Sequence, residues 1–527
     1  MKPPMPDIKT PRSSAIQNPS DFLSGVALTP LNRLAIATAI LIVVWFVTSS
    51  IFDGIAAGGY IIAAAIIGAY MAMNIGANDV ANNVGPAVGA KAISIGGALI
   101  LAALCETLGA VIAGGDVVNT ISKSIIDPSQ VTNTLEFIWA MMAALLAAAL
   151  WVNVATWLNA PVSTTHSIVG GVMGAGVACV GFGTVNWAIL LQIAASWVIS
   201  PLLGGLIAAA LLWFIGRTIL DQTDRLAAAR TWVPVLVGIM AGVFAAYLMI
   251  KGFKRIWTPS GTIITIVATV ATFLVYAATR PVIARTSKII ENRPAAIRSL
   301  FVIPLVFAAA LLSFAHGAND VANAIGPLAA VVQAVESQTI TSEAEVPLWV
   351  MIVGGAGIAI GLGLFGAKLI RTVGKKITKL DPIRAYCVAL SAAITVLVAT
   401  QLALPVSSTH IAIGSIFGVG FLREYLANKR TERIVVTKKG HKPSLAAINA
   451  LDAMKKVPGE DQKYPTTTTS EETLDAAQLK KLKKKRKRKL VRRSHVITII
   501  AAWIVTVPCS AVIAALLFFA TRGALLP

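Results

Sequence analysis

Apolar runs close to twenty residues long, broken by short polar or Gly/Pro-rich stretches, follow one another from residue 34 to residue 520. A helix needs about 20 apolar residues to cross a bilayer. Runs of that length with few charges predict transmembrane helices rather than soluble core segments. One run lies near 34–51. Five follow, near 59–75, 92–114, 137–158, 161–181 and 187–215. Two more lie near 232–250 and 261–278, and a last five near 299–315, 347–370, 385–403, 405–422 and 497–520. The pattern predicts an all-α polytopic membrane protein with about 12–13 transmembrane segments.

The two groups of five read as copies of each other. GANDVAN occurs at 76–82 and at 317–323, each followed by Gly-Pro (85–86, 326–327). GGDVVNTISKSI (114–125) answers GAKLIRTVGKKI (366–377), and both lead into Asp-Pro (127–128, 381–382). ATWLNAPVSTTH (155–166) answers ATQLALPVSSTH (399–410), and WVISP (197–201) resembles WIVTVP (503–508). Corresponding members stand an odd number of crossings apart, so the copies run in opposite senses. Inverted repeats with broken helices are a transporter plan, with the site at the repeat interface near the midplane. The layout expected is an N-terminal extension (1–33), an extra span (34–58), a first transport repeat (59–215) and a linker with two spans (216–298). A second repeat (299–422), a basic insertion (423–495) and the repeat's last span (496–527) complete it.

Composition agrees: the chain of 527 residues is 56% hydrophobic and only 13% charged, against about a quarter charged in soluble domains. The formal net charge is +21, and more than half of it falls between Leu422 and His495, ending in KKLKKKRKRKLVRR (480–493). A run of that kind is read as a cytoplasmic topology anchor, with anionic lipid as a partner and no nucleic acid. Its composition, PTTTTSEE then Lys/Arg, predicts disorder. With the insertion inside, the N-terminus falls inside and the C-terminus outside. KGFKR (251–255) would then face outward, against the rule. The protein is expected in a plasma membrane, the bacterial inner membrane being the simple case. Cys105, Cys179, Cys387 and Cys509 are isolated in apolar segments and read as core residues.

Polar residues inside such segments carry the chemistry. Asp79 and Asp320 each end an apolar run, with Asn78, Asn82 and Asn83 beside the first and Asn319 and Asn323 beside the second. Carboxylate and amide oxygens, with carbonyls freed where Gly-Pro breaks a helix, suit a small hard cation. A helix cap is the plainer reading of one copy; two copies favour the cation. PVSTTH and PVSSTH put Ser163, Thr164, Thr165, Ser407, Ser408 and Thr409 at helix N-termini, where backbone N–H groups and hydroxyls suit a tetrahedral oxyanion. His166 and His410 are read as structural. Glu106 is either a hydrogen-bonded structural acid or a proton or cation relay. No basic residue belongs to these motifs, Lys91 lying just past the first. An anion would therefore meet two carboxylates and no fixed cation, which requires Na⁺ or H⁺ to bind with it.

The duplicated GANDVAN, HGANDVANAIGP in the second copy and the duplicated PVS[ST]TH resemble the inorganic phosphate transporter family (PiT/Pho-4), over about 59–520. The resemblance implies an inverted-repeat helical fold, symport of inorganic phosphate with Na⁺ or H⁺, and alternating access by an elevator-like motion in a homodimer. It implies no other cofactor and no metal beyond the coupling ion. By residue match, Asn78, Asp79, Asn319 and Asp320 are implied as cation and phosphate ligands, and the six Ser/Thr residues as phosphate ligands. The chain departs from the pattern in three places: Asn83 faces Ala324 in the second copy, the long loop lies inside the second repeat, and a first span is added. Relatives that move sulfate or a metal–phosphate complex leave those substrates as alternatives. A channel is a further rival, and so is an intramembrane hydrolase built on Ser163/His166 or Ser407/His410. The hydrolase leaves two inverted copies of both motifs unexplained.

Overall fold

The computed structural model describes residues 29–127, 130–131, 133–158, 160, 162–252, 257–338, 346–367, 369–370, 380–436 and 493–525. Among them the chain is helical, with one isolated β-bridge, Ile126 to Val185. Eleven helices are long and apolar enough to cross a membrane. The helices are α1 (Pro30–Phe52), α2 (Gly58–Asn78), α3 (Val80–Gly89), α4 (Ile95–Ala113), α5 (Thr134–Trp157), α6 (Thr164–Val180) and α7 (Trp187–Ile215). Then come α8 (Arg225–Lys251), α9 (Gly261–Ser287), α10 (Val302–Ser337), α11 (Leu348–Gly361), α12 (Pro382–Gln401), α13 (Ser408–Val436) and α14 (Arg493–Leu525). Helix α13 continues past residue 422; residues 437–492, most of the basic insertion, lie outside the described residues.

Two sets of helices trade partners. Helix α2 packs on α11 as α10 packs on α4, and α6 packs on α14 as α13 packs on α7. Glycines permit the closest of these approaches. A Cβ on Gly317 would lie 2.1 Å from the Glu106 carbonyl oxygen, and one on Gly76 would lie 2.0 Å from that of Ile358. No side chain fits there, so the backbones of α10 and α4, and of α2 and α11, meet directly. The two contacts match, making Ile358 the counterpart of Glu106.

Helices α5 and α6 form a hairpin, as do α12 and α13. Asp127 N–H donates to the Thr184 carbonyl, so the chain entering the first hairpin lies beside the chain leaving it. The residues that open α6 and α13 are buried and the tips touch: Thr165 Oγ1 donates to the Val406 carbonyl (2.9 Å), while Trp197 Nε1 of α7 donates to the Pro405 carbonyl (3.3 Å). Ser and Asp start these helices well. Ser163 caps α6 by accepting the His166 N–H, and Asp381 caps α12 by accepting the Arg384 N–H.

The Gly-Pro pairs do not break their helices, contrary to expectation. Pro86 lies within α3 and Pro327 within the continuous α10; the only interruption is at Asp79, between α2 and α3. Each proline still lacks an N–H, so the carbonyls of Asn82 and Asn323 lose their helical donors without a full break. Lys251, the first residue of KGFKR, forms an ion pair with Asp116 and a bond to the Gln401 carbonyl. Residues 253–256 lie outside the described ones.

Candidate functional site

The hairpin tips end against the two GANDVAN segments, bringing the expected residues together. Asp79, 1% exposed, accepts Thr164 Oγ1 on Oδ2 (2.8 Å) and Thr409 Oγ1 on Oδ1 (3.1 Å). One carboxylate is thus held by hydroxyls from both hairpins. Asp320 accepts Ser408 Oγ on Oδ2 (3.1 Å), and its Oδ1 has no hydrogen-bond partner. Asn82 donates to Thr409 Oγ1 (2.8 Å), and Asn323 donates to Thr164 and Thr165 (3.3 and 3.1 Å). Ser163 and Ser407 use their hydroxyls as caps for the His166 and His410 amides.

Asn78 and Asn319 are held by residues the motif reading passed over. Asn78 Nδ2 donates to Thr156 (2.8 Å), and Asn319 Nδ2 to Thr400 (3.0 Å) and the Leu404 carbonyl (3.0 Å). The two threonines occupy the same place in ATWLNAPVSTTH and ATQLALPVSSTH, so the repeat itself carried the signal. Each amide turns its nitrogen to a hairpin, leaving its oxygen for another use. Asn319 Oδ1 accepts the Val406 N–H, while Asn78 Oδ1 and Asn323 Oδ1 are buried without a donor. With Asp320 Oδ1, these are buried acceptors in want of a positive partner, the donor set a hard cation takes.

The expectation of no cation-forming side chain at the motifs needs correction. His316, immediately before the second GANDVAN, is fully buried. Its Nε2 lies 2.9 Å from Asp320 Oδ2 and its Nδ1 3.2 Å from Glu106 Oε1. Asn83 Nδ2 donates to the same Glu106 oxygen (2.9 Å). Ligand-type atoms of Asp79, His316 and Asp320 all lie within 4.8 Å of one another. Comparing the copies passed over His316 and left Asn83 and Glu106 unconnected, because the counterparts are apolar: Ile75 for His316, Ala324 for Asn83 and Ile358 for Glu106. His166 stacks on Trp197 (centroids 3.7 Å) and meets His410 edge-on (4.9 Å), at the joint between the tips.

Comparison with known proteins gives one answer. A family model described as the phosphate transporter family matches residues 75–514. A Helicobacter pylori protein named "Putative phosphate permease" is 46% identical, over 96% of this chain and 98% of its own. A relative of the same description from Thermococcus kodakarensis is 36% identical over 70% of this chain and 91% of its own. A solved structure titled "The sodium-dependent phosphate transporter" superposes with TM-score 0.73 at 29% identity, covering 89% of this chain and all of that one. These proteins are transporters rather than enzymes, which sets the hydrolase reading aside. With its duplicated Asp motifs and paired Ser/Thr hairpin tips, the chain belongs to the phosphate transporter family.

Proposed function

We propose that the protein is a Na⁺-coupled inorganic phosphate symporter whose phosphate and cation sites lie between the two hairpin tips and the two GANDVAN segments. The observation that carries this is the pairing of Asp79 with hydroxyls from both tips. The phosphate ligands proposed are Ser163, Thr164, Thr165, Ser407, Ser408 and Thr409, with Asp79 and Asp320. The cation ligands proposed are Asn78, Asp79, Asn82, Asn319, Asp320 and Asn323.

Charge makes coupling necessary. Three buried carboxylates, Asp79, Asp320 and Glu106, stand against one imidazole, so with the carboxylates ionised the site is negative whichever state His316 adopts. Phosphate enters such a site only if cations come with it or the carboxylates take up protons. The unpaired oxygens of Asn78, Asn323 and Asp320 suit Na⁺, and the sodium dependence named for the solved relative supports that choice. Phosphate is favoured over sulfate because it keeps a proton near neutral pH and can donate it to a carboxylate. Cations then link the two repeats, and release of both ligands frees the hairpins to move, which is the basis of alternating access. The proposed topology takes both hairpins as returning to the side they enter, which keeps the crossing count between repeats odd, the repeats inverted, the N-terminus inside and the C-terminus outside.

Uptake of radiolabelled phosphate into proteoliposomes tests the reading, with an imposed Na⁺ gradient, a pH gradient or neither. The Na⁺ gradient should stimulate uptake, and Asp79→Asn and Asp320→Asn should abolish the stimulation in folded protein. Stimulation by pH alone would change the coupling ion. Uptake of sulfate but not phosphate would overturn the substrate.

A further inference from the structure

A second charged cluster lies away from the transport site, where the segments leading into α10 and α12 meet α13. Arg298 Nε and Arg384 Nε each lie 3.4 Å from the same Asp381 oxygen, Oδ2. The other oxygen, Oδ1, accepts the Arg384 N–H (3.0 Å), so this carboxylate is fully used. The side chains of Arg298 and Arg384 are 13% and 9% exposed. Arg423 lies on α13, which packs on α12, and adds its charge to those of Arg384, Arg298 and Asp381. Glu424 follows it but already has an interaction of its own.

Two guanidinium groups therefore share one carboxylate, and Arg423 adds a third positive charge to the cluster. The Asp381 contacts of Arg298 and Arg384 both use Nε, so the ion pairs leave their terminal Nη groups unused. A topology anchor needs no such arrangement: it is satisfied by arginines extended into water. Guanidinium forks held in a half-buried pocket with excess positive charge match a phosphate group, which they take bidentately. The flank says how that phosphate is presented. Phe421 and Tyr425, on either side of Arg423, are 46% and 58% exposed. Exposed aromatic residues beside basic ones mark the level of lipid headgroups on a spanning helix.

We propose that Arg298, Arg384 and Arg423 form a binding site for the phosphate group of an anionic phospholipid, joining the entry of the second repeat to α13. Free phosphate offers the same chemistry and is the other source the test must separate. The site is independent of the transport assignment and depends only on the chain spanning a membrane.

The test measures thermal unfolding of the full-length protein in a neutral detergent, titrated with short-chain phosphatidylglycerol, short-chain phosphatidylcholine or inorganic phosphate. Phosphatidylglycerol should give a saturable stabilisation that phosphatidylcholine does not. Arg298→Gln and Arg423→Gln should each weaken it about five-fold, the worth of one basic residue at a membrane surface. Asp381→Asn keeps the helix cap and removes the competing carboxylate, so it should tighten lipid binding; a merely structural cluster would only lose stability. A phosphate-induced shift that both Arg variants lose, with no lipid effect, would assign the site to free phosphate; one they retain belongs to the transport site. A lipid shift unchanged in both Arg variants, or no shift from either ligand dependent on these arginines, overturns the proposal.

Discussion

Replacing His316 by isoleucine, the residue at its counterpart Ile75, should destabilise the protein more than replacing its whole polar group. His316, Glu106 and Asn83 are each fully buried, and Asp320 is 1% exposed. His316→Ile leaves Glu106 and Asp320 without the imidazole between them. Removing one partner of a buried charged pair costs about 3–5 kcal/mol, because the remaining charge is uncompensated. The triple variant Asn83→Ala, Glu106→Ile, His316→Ile rebuilds the arrangement on the opposite side, where Ala324, Ile75 and Ile358 are all buried. Exchanging a whole buried polar network for apolar residues of similar volume is often close to neutral. Asp320 still loses a neighbour, so a net cost of about 1–2 kcal/mol remains. The midpoint and slope of SDS-induced unfolding of purified protein measure both values. The single variant should fall well below the triple, while both lose coupled uptake. A triple variant as unstable as the single, or less stable, would refute the claim that the two sides are alternative fillings of one packing plan.

Three further outcomes follow from the geometry. Thr156→Val and Thr400→Val each remove the hydroxyl that fixes an Asn amide, and should raise the cation concentration needed for half-maximal uptake several-fold, about 1 kcal/mol of orientation; unchanged Na⁺ dependence in both would disconnect these threonines from the site. Gly317→Ala puts a Cβ against the Glu106 carbonyl and should reduce the yield of folded protein, whereas Gly523→Ala, with nothing within 4 Å, should not; size-exclusion recovery from membranes compares them. Lys251→Met removes the ammonium paired with Asp116, and the double variant with Asp116→Asn should recover part of the lost thermal stability; no recovery would show that the pair is not coupled.

The sequence made the fold legible because hydrocarbon imposes so narrow a choice. A run of twenty apolar residues in a membrane must be a helix, since no other segment satisfies its own backbone there, and each expected run coincides with a helix. What the runs could not show is where a helix end is placed. The spans expected near 137–158 and 161–181 form one hairpin whose tip lies against Asp79, and run length says nothing of that contact. Gly-Pro was misleading for a related reason: a buried proline inside a packed bundle removes one hydrogen bond without ending the helix.

The site divides along the same line. Residues that occur twice were found, because the repeat marks them against an apolar background. Thr156 and Thr400 also occur twice, but threonine is so ordinary in a membrane helix, where it bonds its own i−4 carbonyl, that the repetition drew no notice. His316 escaped because repetition was the filter and it breaks the repeat; Asn83 and Glu106 stood out singly, but nothing in the sequence joined them to it. A two-fold arrangement of two carboxylates and two hairpin tips would, left symmetric, favour two equivalent cation positions. Filling one side with His316 and Glu106 and the other with Ile75 and Ile358 makes the positions beside Asp320 and Asp79 unlike each other. Asp79 already accepts two hydroxyls, whereas Asp320 keeps one oxygen unpaired and an imidazole beside it. Cations bound at these two carboxylates should therefore differ in affinity. A Na⁺ titration of phosphate uptake that fits two identical sites would count against that asymmetry, and loss of the difference in a direct Na⁺-binding titration of the triple variant, which needs no transport, would trace it to these three side chains.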